Sequence, residues 1–303
     1  MQLYILESRI GFGYYPPRVM SILNQIDRAI LASPGPLPDI EFSFVVKDIP
    51  DEEHAHHTVW ALTRQTDDQE TWLMPDFGYW SWPLDLVGAY EQIRMEIHQN
   101  RKDWRDKVPK ALWRGALKTN KIRASMFEAT RGKKWADVEE VRWKNRLQIA
   151  GSSAPFAMPM VDHCAYQFLI HTEGLSYSGR GKYLFNCGSV VITHKSKWIE
   201  PHHNVMVKSG PTQNVVEVER DFSDLEEKME ELLQDPERAR KIAINGESRF
   251  RNRYLTPAAQ SCYWRRLIST WAGVSFRPHP WEIVDGKWRL RGIPFETFAQ
   301  VQR

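Results

Sequence analysis

No run of about eighteen consecutive apolar residues occurs anywhere in this 303-residue chain, so the pattern offers no transmembrane helix. Met1 to Pro17 lack the charged start, apolar stretch and small-residue cleavage site of a secretory signal. As it stands, the sequence reads as neither membrane-spanning nor visibly secreted. Cysteine is scarce. Cys164, Cys187 and Cys262 cannot all pair with one another, and none belongs to a C-x-x-C pattern, which argues against a structural metal. There is no repeat of fixed period and no low-complexity tract. The net charge of +3 is too small to imply a nucleic-acid partner by itself.

What remains describes a soluble globular protein of one large or two medium domains, 42% hydrophobic with a mean hydropathy of −0.52. Thirteen Trp is a high count, and indole faces serve both core packing and sugar rings. From Arg101 to Arg146 the chain carries 15 Lys/Arg against 6 Asp/Glu, a local excess that suits a phosphate-bearing small ligand as well as nucleic acid.

The pattern alternates in the manner of α/β units. An apolar start at Leu3 to Leu6 precedes a helix over Arg18 to Ala32, a strand over Phe42 to Val46 and a helix over Leu84 to Gln99. Arg101 to Lys110 reads as a crossing. Strand Ala111 to Trp113, helix Ile122 to Thr130 and strands Tyr166 to Ile170, Val190 to Thr193 and Val215 to Val218 follow. Ser223 and Glu226 form a capping-box pattern, Asp235-Pro236 starts another helix, and an aromatic, basic helix over Ala258 to Thr270 could fold back on the first half.

The densest chemistry lies between Val161 and Ile192. An apolar strand there is followed by Ser176-x-Ser178-x-Arg180-x-Lys182 and a helix-like Lys182 to Asn186. Loops at the carboxyl ends of parallel strands, capped by helix N-termini, are where α/β proteins bind anions. Arg180 and Lys182 would add mobile positive charge there.

Six segments in fixed order give the chain a resemblance to glycosyltransferase family 90, which holds fungal capsule-associated xylosyltransferase-like proteins and animal protein O-glucosyltransferases. They are LPDIEFSFVVKD from Leu37, PDFGYWSWP from Pro75, WRG from Trp113, DHC from Asp162, EGLSYSGRGKYLFNCGSVV from Glu173 and YLTPAAQSCYWR from Tyr254. The resemblance covers about Leu37 to Trp271, with the Trp loop and YLTPAA closest to the fungal branch. It implies an α/β, GT-B fold: two Rossmann-like domains facing a central cleft, with the C-terminal helix packing back on the first. Residues 1–105, completed by about 258–303, would form the acceptor domain, and 106–257 the UDP-sugar donor domain.

The activity implied is inverting transfer of a sugar, xylose or glucose foremost, from a UDP-sugar to a hydroxyl of a glycan or glycoprotein. It needs a base, positive groups for the leaving diphosphate and an acceptor groove, but no metal and no other cofactor. Asp48 matches the family's base; read alone, it is also an ordinary turn Asp before Ile49-Pro50. Arg123 and Arg180 match diphosphate-binding positions, where guanidinium engages phosphate oxygens bidentately. Gly115 would let backbone approach the donor, while Arg114 is either a donor contact or a buried ion-pair partner. Glu173, Ser178, Gly188, Ser189 and Glu200 complete the expected donor site. Asp76, Phe77, Tyr79, Trp80 and Trp82 are expected on the acceptor side, and His163 is read as structural. Two departures stand out. Ala116 replaces the family's usual Ser, and Pro211-Thr212-Gln213-Asn214 replaces a Pro-Trp-x-His-Tyr segment.

By the same resemblance Cys164 and Cys187 form a disulfide across the donor site, stabilising by roughly 3 kcal/mol. Cys262 matches a cysteine whose partner lies upstream of this chain. That points to the secretory pathway, with any membrane attachment through an upstream segment; three reduced thiols are the alternative. The competing functions are a catalytically silent carbohydrate- or nucleotide-binding protein on the same fold and a nucleic-acid binder, for which no recognition motif exists.

Overall fold

A computed structural model describes residues 2–8, 15–50, 58–82, 87–142 and 155–301. It is a mixed α/β structure with two parallel sheets. The larger has five strands in the order Val216–Val218, Val190–His194, Tyr166–His171, Val108–Gly115 and Ala136–Glu140. Registers such as Leu169 with Leu112 and His171 with Thr193 set the carboxyl ends of its central strands side by side. The β-branched and aromatic run VVITH is buried on both faces, as central parallel strands are. One face packs the helices Leu225–Gln234 and Pro236–Gly246, and the other packs Tyr90, Ile93, Tyr183 and Phe185.

The smaller sheet pairs Phe44–Val45, Trp60–Ala61 and Trp72–Leu73. Its core gathers Trp60, Met74, Phe77 and Trp264 around the helix Tyr15–Leu31. The helix Pro257–Ala272, capped by Thr256 accepting from Ala259 N–H, runs against Tyr15–Leu31, and Trp264 Nε1 donates to Gln25. A two-residue antiparallel pairing of Trp198 with Gln65 and Ile199 with Arg64 ties the region of the larger sheet to that of the smaller.

Several elements differ from the sequence pattern for local reasons. The helix expected from Leu84 spans Tyr90–Gln99, because Ser81–Trp82 and Gly88–Ala89 first form a hairpin with Gly88 at φ +77°. Residues 83–86 lie outside the described residues. The supposed crossing ends in strand, since Val108–Gly115 begins three residues before Ala111. Ser223 does not cap its helix. Asp224 takes that position but spends its carboxylate on Glu219 N–H. Tyr4–Ile5 pairs with Ile293–Pro294 rather than with either parallel sheet.

Candidate functional site

The loop between Tyr166–His171 and the short helix Gly181–Leu184 lies at the carboxyl edge of the larger sheet, next to Gly115, the last residue of the neighbouring strand. Two guanidinium groups meet there around one indole. Arg123 and Arg180 stand 5.7 Å and 5.8 Å from the Trp113 ring centroid, and Trp113 Nε1 is fixed by Thr172. Arg123 comes from the helix Lys121–Thr130, whose N-cap Asn120 also donates to Gly174 C=O. Its Nε donates to Glu173 C=O and its Nη1 to Ala116 C=O.

No acidic group balances this pair among the described residues. Burial lowers the Arg123 pKa to about 10, while burial and the Arg123 charge lower that of Arg180 to about 9. Partly buried cations held together without a carboxylate favour an anion that can bridge them. Gly115 is required at this point. A Cβ there would stand 2.8 Å from the Trp113 ring and 3.2 Å from Arg180 Nη2. Ser178 precedes Arg180 by two residues, its carbonyl accepting from Gly181 N–H.

The same loop reaches across to the smaller sheet. Ser176 Oγ donates to the backbone carbonyl of Asp48. The Asp48 carboxylate is 34% exposed and accepts from Arg18 Nη1 at 2.7 Å. A Cβ on Gly179 would stand 3.5 Å from the Trp82 ring and 2.9 Å from Asp76 Oδ2. Thus Asp48 and Trp82 both border residues 176–180, the stretch that ends in Arg180.

Other expected site residues do different work. Lys182 is not mobile: it is fully buried, pairs with Asp76 Oδ2 at 2.9 Å and donates to Gly179 C=O. Asp76 Oδ1 caps the turn at Gly78 N–H, so its carboxylate faces protein on both oxygens. Phe77 and Tyr79 are buried at 2% and 4% in two different cores, leaving Trp80 and Trp82 as the partly exposed aromatic residues of that loop. Trp80 lies against Arg28, and Trp82 against Phe77. Arg114 takes the ion-pair role, binding Asp137, whose carboxyl burial raises but hydrogen bonds from Tyr166 and Arg114 bring down below the usual range. Glu173 offers only its carbonyl to the arginine pair. Its carboxylate accepts from Lys197 N–H, Trp198 N–H and Arg220.

Gly188 and Ser189, expected beside Arg180, lie instead at the opposite, amino edge of the sheet. They precede the strand Val190–His194, whose carboxyl end adjoins the loop, so about 3.3 Å per residue over the strand's length separates them from it. Gly188 C=O and Ser189 Oγ instead accept from the buried Lys107 ammonium, and Ser189 Oγ donates to Tyr166 C=O. Cys164 and Cys187 are joined by a disulfide with Cα atoms 4.6 Å apart. It too lies at the amino edge, before Tyr166 and Val190, and staples the sheet's base rather than the arginine site. His163 is buried with Nδ1 on Pro159 C=O.

Glu200, His202 and His203 have ligand atoms within 4.8 Å of one another. Burial raises the Glu200 carboxyl well above its ordinary pKa. His203 Nδ1 accepts from Glu200 N–H, so its neutral ring carries the proton on Nε2. Of this group among the described residues, Glu200 and His202 then remain as donors, fewer than the three or four protein ligands of a zinc site. Glu200 thus lies in a histidine-lined interior, beside Lys182 and Asp76, whose charges act on its carboxyl.

Sequence reasoning gave no site role to Arg18, Asn120 or Ser176. Ser176 sits in the same S-x-S as Ser178, and Asn120 had a visible cap signal before Lys121. Arg18 carried no signal beyond its place near a helix start.

The family model for Glycosyl transferase family 90 matches residues 6–279. Protein O-glucosyltransferase 1 of Homo sapiens is 25% identical over 262 residues, 82% of this chain and 66% of that protein. The Rattus norvegicus protein of the same name is 25% identical over 78% of this chain and 63% of its own length. The O-glucosyltransferase rumi homolog of Anopheles gambiae is 25% identical over 77% and 61%. The chain therefore spans a little under two thirds of the length of these curated relatives. A sucrose-phosphate synthase from Thermosynechococcus elongatus overlaps 84% of this chain and 63% of its own at a TM-score of 0.43 and 12% identity, too slight a likeness to carry an argument.

Proposed function

The chain belongs to glycosyl transferase family 90, and from that premise we propose that it moves a sugar, glucose or xylose, from a UDP-sugar to a hydroxyl of a glycan or protein with inversion. The observation that carries this reading is the uncompensated arginine pair at Gly115, set against the same short loop as Asp48. An incoming acceptor oxygen forms a bond to the anomeric carbon as Asp48 takes its proton. The bond from that carbon to the diphosphate breaks, and its electron pair leaves on the phosphate oxygen. Arg123 and Arg180, pre-placed and partly desolvated, stabilise that charge without needing to reorganise. No cation from outside the protein is required for this neutralisation.

Trp82, with Trp80 at the rim, is the acceptor platform in this reading. Gly115 gives the donor close access to backbone, and Ser178 borders the diphosphate. The two parallel sheets correspond to the two halves of a GT-B arrangement, with the donor on the larger. The Cys164–Cys187 disulfide supports an oxidising compartment of the secretory pathway. Glucose and xylose differ by one methylol group, a discrimination worth about 1–3 kcal/mol in a pocket.

The test is UDP release from a panel of UDP-sugars by wild type, Asp48→Asn and Arg180→Ala. Turnover with one or two donors is expected, lowered about 100- to 10,000-fold but still measurable in Asp48→Asn and lost in Arg180→Ala. UDP binding without turnover of any donor by the wild type would instead identify a silent binding protein.

A further inference from the structure

Asp48 is held by a contact that comes from a helix elsewhere in the chain. Arg18, in the first turns of Tyr15–Leu31, places Nη1 2.7 Å from Asp48 Oδ1 and 2.9 Å from Val46 C=O. Its side chain is 11% exposed, and its guanidinium carbon lies 4.4 Å from the Phe77 ring centroid and 5.9 Å from that of Trp82. One planar cation therefore touches the carboxylate, the strand that leads to it and the aromatic loop. Asp48 lies three residues beyond Phe44–Val45, in a stretch with no regular structure of its own. On the far side its carbonyl is gripped by Ser176. Backbone and side chain are thus fixed from opposite halves of the molecule.

We propose that Arg18 is a positioning residue for Asp48: it pins Oδ1, leaves Oδ2 to receive the acceptor proton, and makes that orientation depend on the Phe77–Trp82 loop. The inference rests on the reading of Asp48 as the base. Oδ2 has no hydrogen bond among the described residues, which suits a proton acceptor. Guanidinium is the appropriate group because it can serve a carboxylate and a carbonyl while its face stacks on an aromatic ring, and an ammonium cannot do all three. The helix supplies rigidity, and small errors in such placement are costly, about 100-fold for a displacement near 1 Å.

The experiment measures UDP release from UDP-glucose and UDP-xylose with water as acceptor, so no identified acceptor is needed. Arg18→Ala should lower kcat about 100-fold with donor KM and UDP affinity unchanged, Arg18→Lys should recover part of the loss, and added guanidinium should partly restore Arg18→Ala. In the Asp48→Asn background, Arg18→Ala should cost nothing more, because it acts through Asp48. Arg18→Gln, which keeps length and a donor, asks the same question if the Ala variant melts early. Full activity in the Arg18 variants beside a strongly impaired Asp48→Asn, or equal additional loss in the wild-type background and over the residual turnover of Asp48→Asn, would overturn the positioning role. Full activity of Asp48→Asn would overturn the reading beneath it, as would the absence of any UDP release by the wild type.

Discussion

At the amino edge of the five-stranded sheet the Lys107 ammonium is buried against Cys187 C=O, Gly188 C=O and Ser189 Oγ, three acceptors for three donors. At the carboxyl edge Arg180 has an aromatic face and a second arginine beside it, and no carboxylate among the described residues. Two residues further along the same turn, Lys182 is fully buried and paired with Asp76. The same few strands therefore present charge that is satisfied by protein and charge that is not. Buried cations are ordinarily neutralised at once, because desolvating them alone is expensive. Among the described residues the Arg123–Arg180 pair keeps its charge without a carboxylate, beside a glycine that lets backbone come close, which is why the proposed function places an anionic ligand there.

The largest expected effect is at the satisfied charge. Lys182→Met leaves the Asp76 carboxylate buried without its cation and should destabilise the fold by about 3–5 kcal/mol. The double variant Asp76→Asn/Lys182→Met should recover much of that in denaturant titrations. If Lys182→Met instead melts like wild type, the pair does not hold the two regions together.

A smaller effect of opposite sign is expected two residues earlier. Arg180→Met removes a cation that the ligand-free protein holds at a cost, so stability without ligand should rise by on the order of 1 kcal/mol, as is common when a functional site is relieved of its strain. The same variant should lose the thermal stabilisation that UDP gives the wild type. Arg180→Met that melts lower than wild type without ligand would show that the guanidinium is structural, and the contrast between the two edges would fail.

The parallel strands and their helices were legible because their signals are local: the apolar strand run Val190 to Thr193 and the Asp235-Pro236 start each name their own element. The meeting of Arg123 and Arg180 was implied only through resemblance, since Arg123 on a helix has no local sign that it faces Trp113, and the roles given to that pair and to Asp48 belong to the proposed function. What failed was edge assignment. Gly188 and Ser189 share a motif with Arg180, yet the helix Gly181–Leu184 carries the chain from the carboxyl edge back to the amino edge before they appear. Cys187 was carried with them, so the disulfide was expected to cross the ligand site. Polar residues within the aromatic loop misled for another reason. Asp76 reads as a loop carboxylate until its partner, Lys182, is supplied from 106 residues away. Arg18 was silent because its contacts with Val46, Asp48, Phe77 and Trp82 are long-range and no spacing encodes them.

The smallest expected effect lies at the amino edge and depends on pH. Burial lowers the Lys107 pKa from 10.5 to about 7, against the opposing pull of Glu247. Between those two values the unfolded chain binds a proton at this site that the folded chain has given up. Stability contributed by Lys107 therefore rises with pH from about 7 to 10.5, at most about 1.4 kcal/mol per pH unit for a single proton, and is constant below about 7 where both states are protonated. Three acceptors around the ammonium favour its charged form, so the observed slope should fall below that limit. Denaturation curves collected across this range for wild type and Lys107→Met should diverge in slope, with the variant flatter. Parallel curves would mean that the three acceptors outweigh burial and keep Lys107 charged, in which case the amino edge satisfies its cation even more fully than its geometry suggests and the contrast with Arg180 grows sharper.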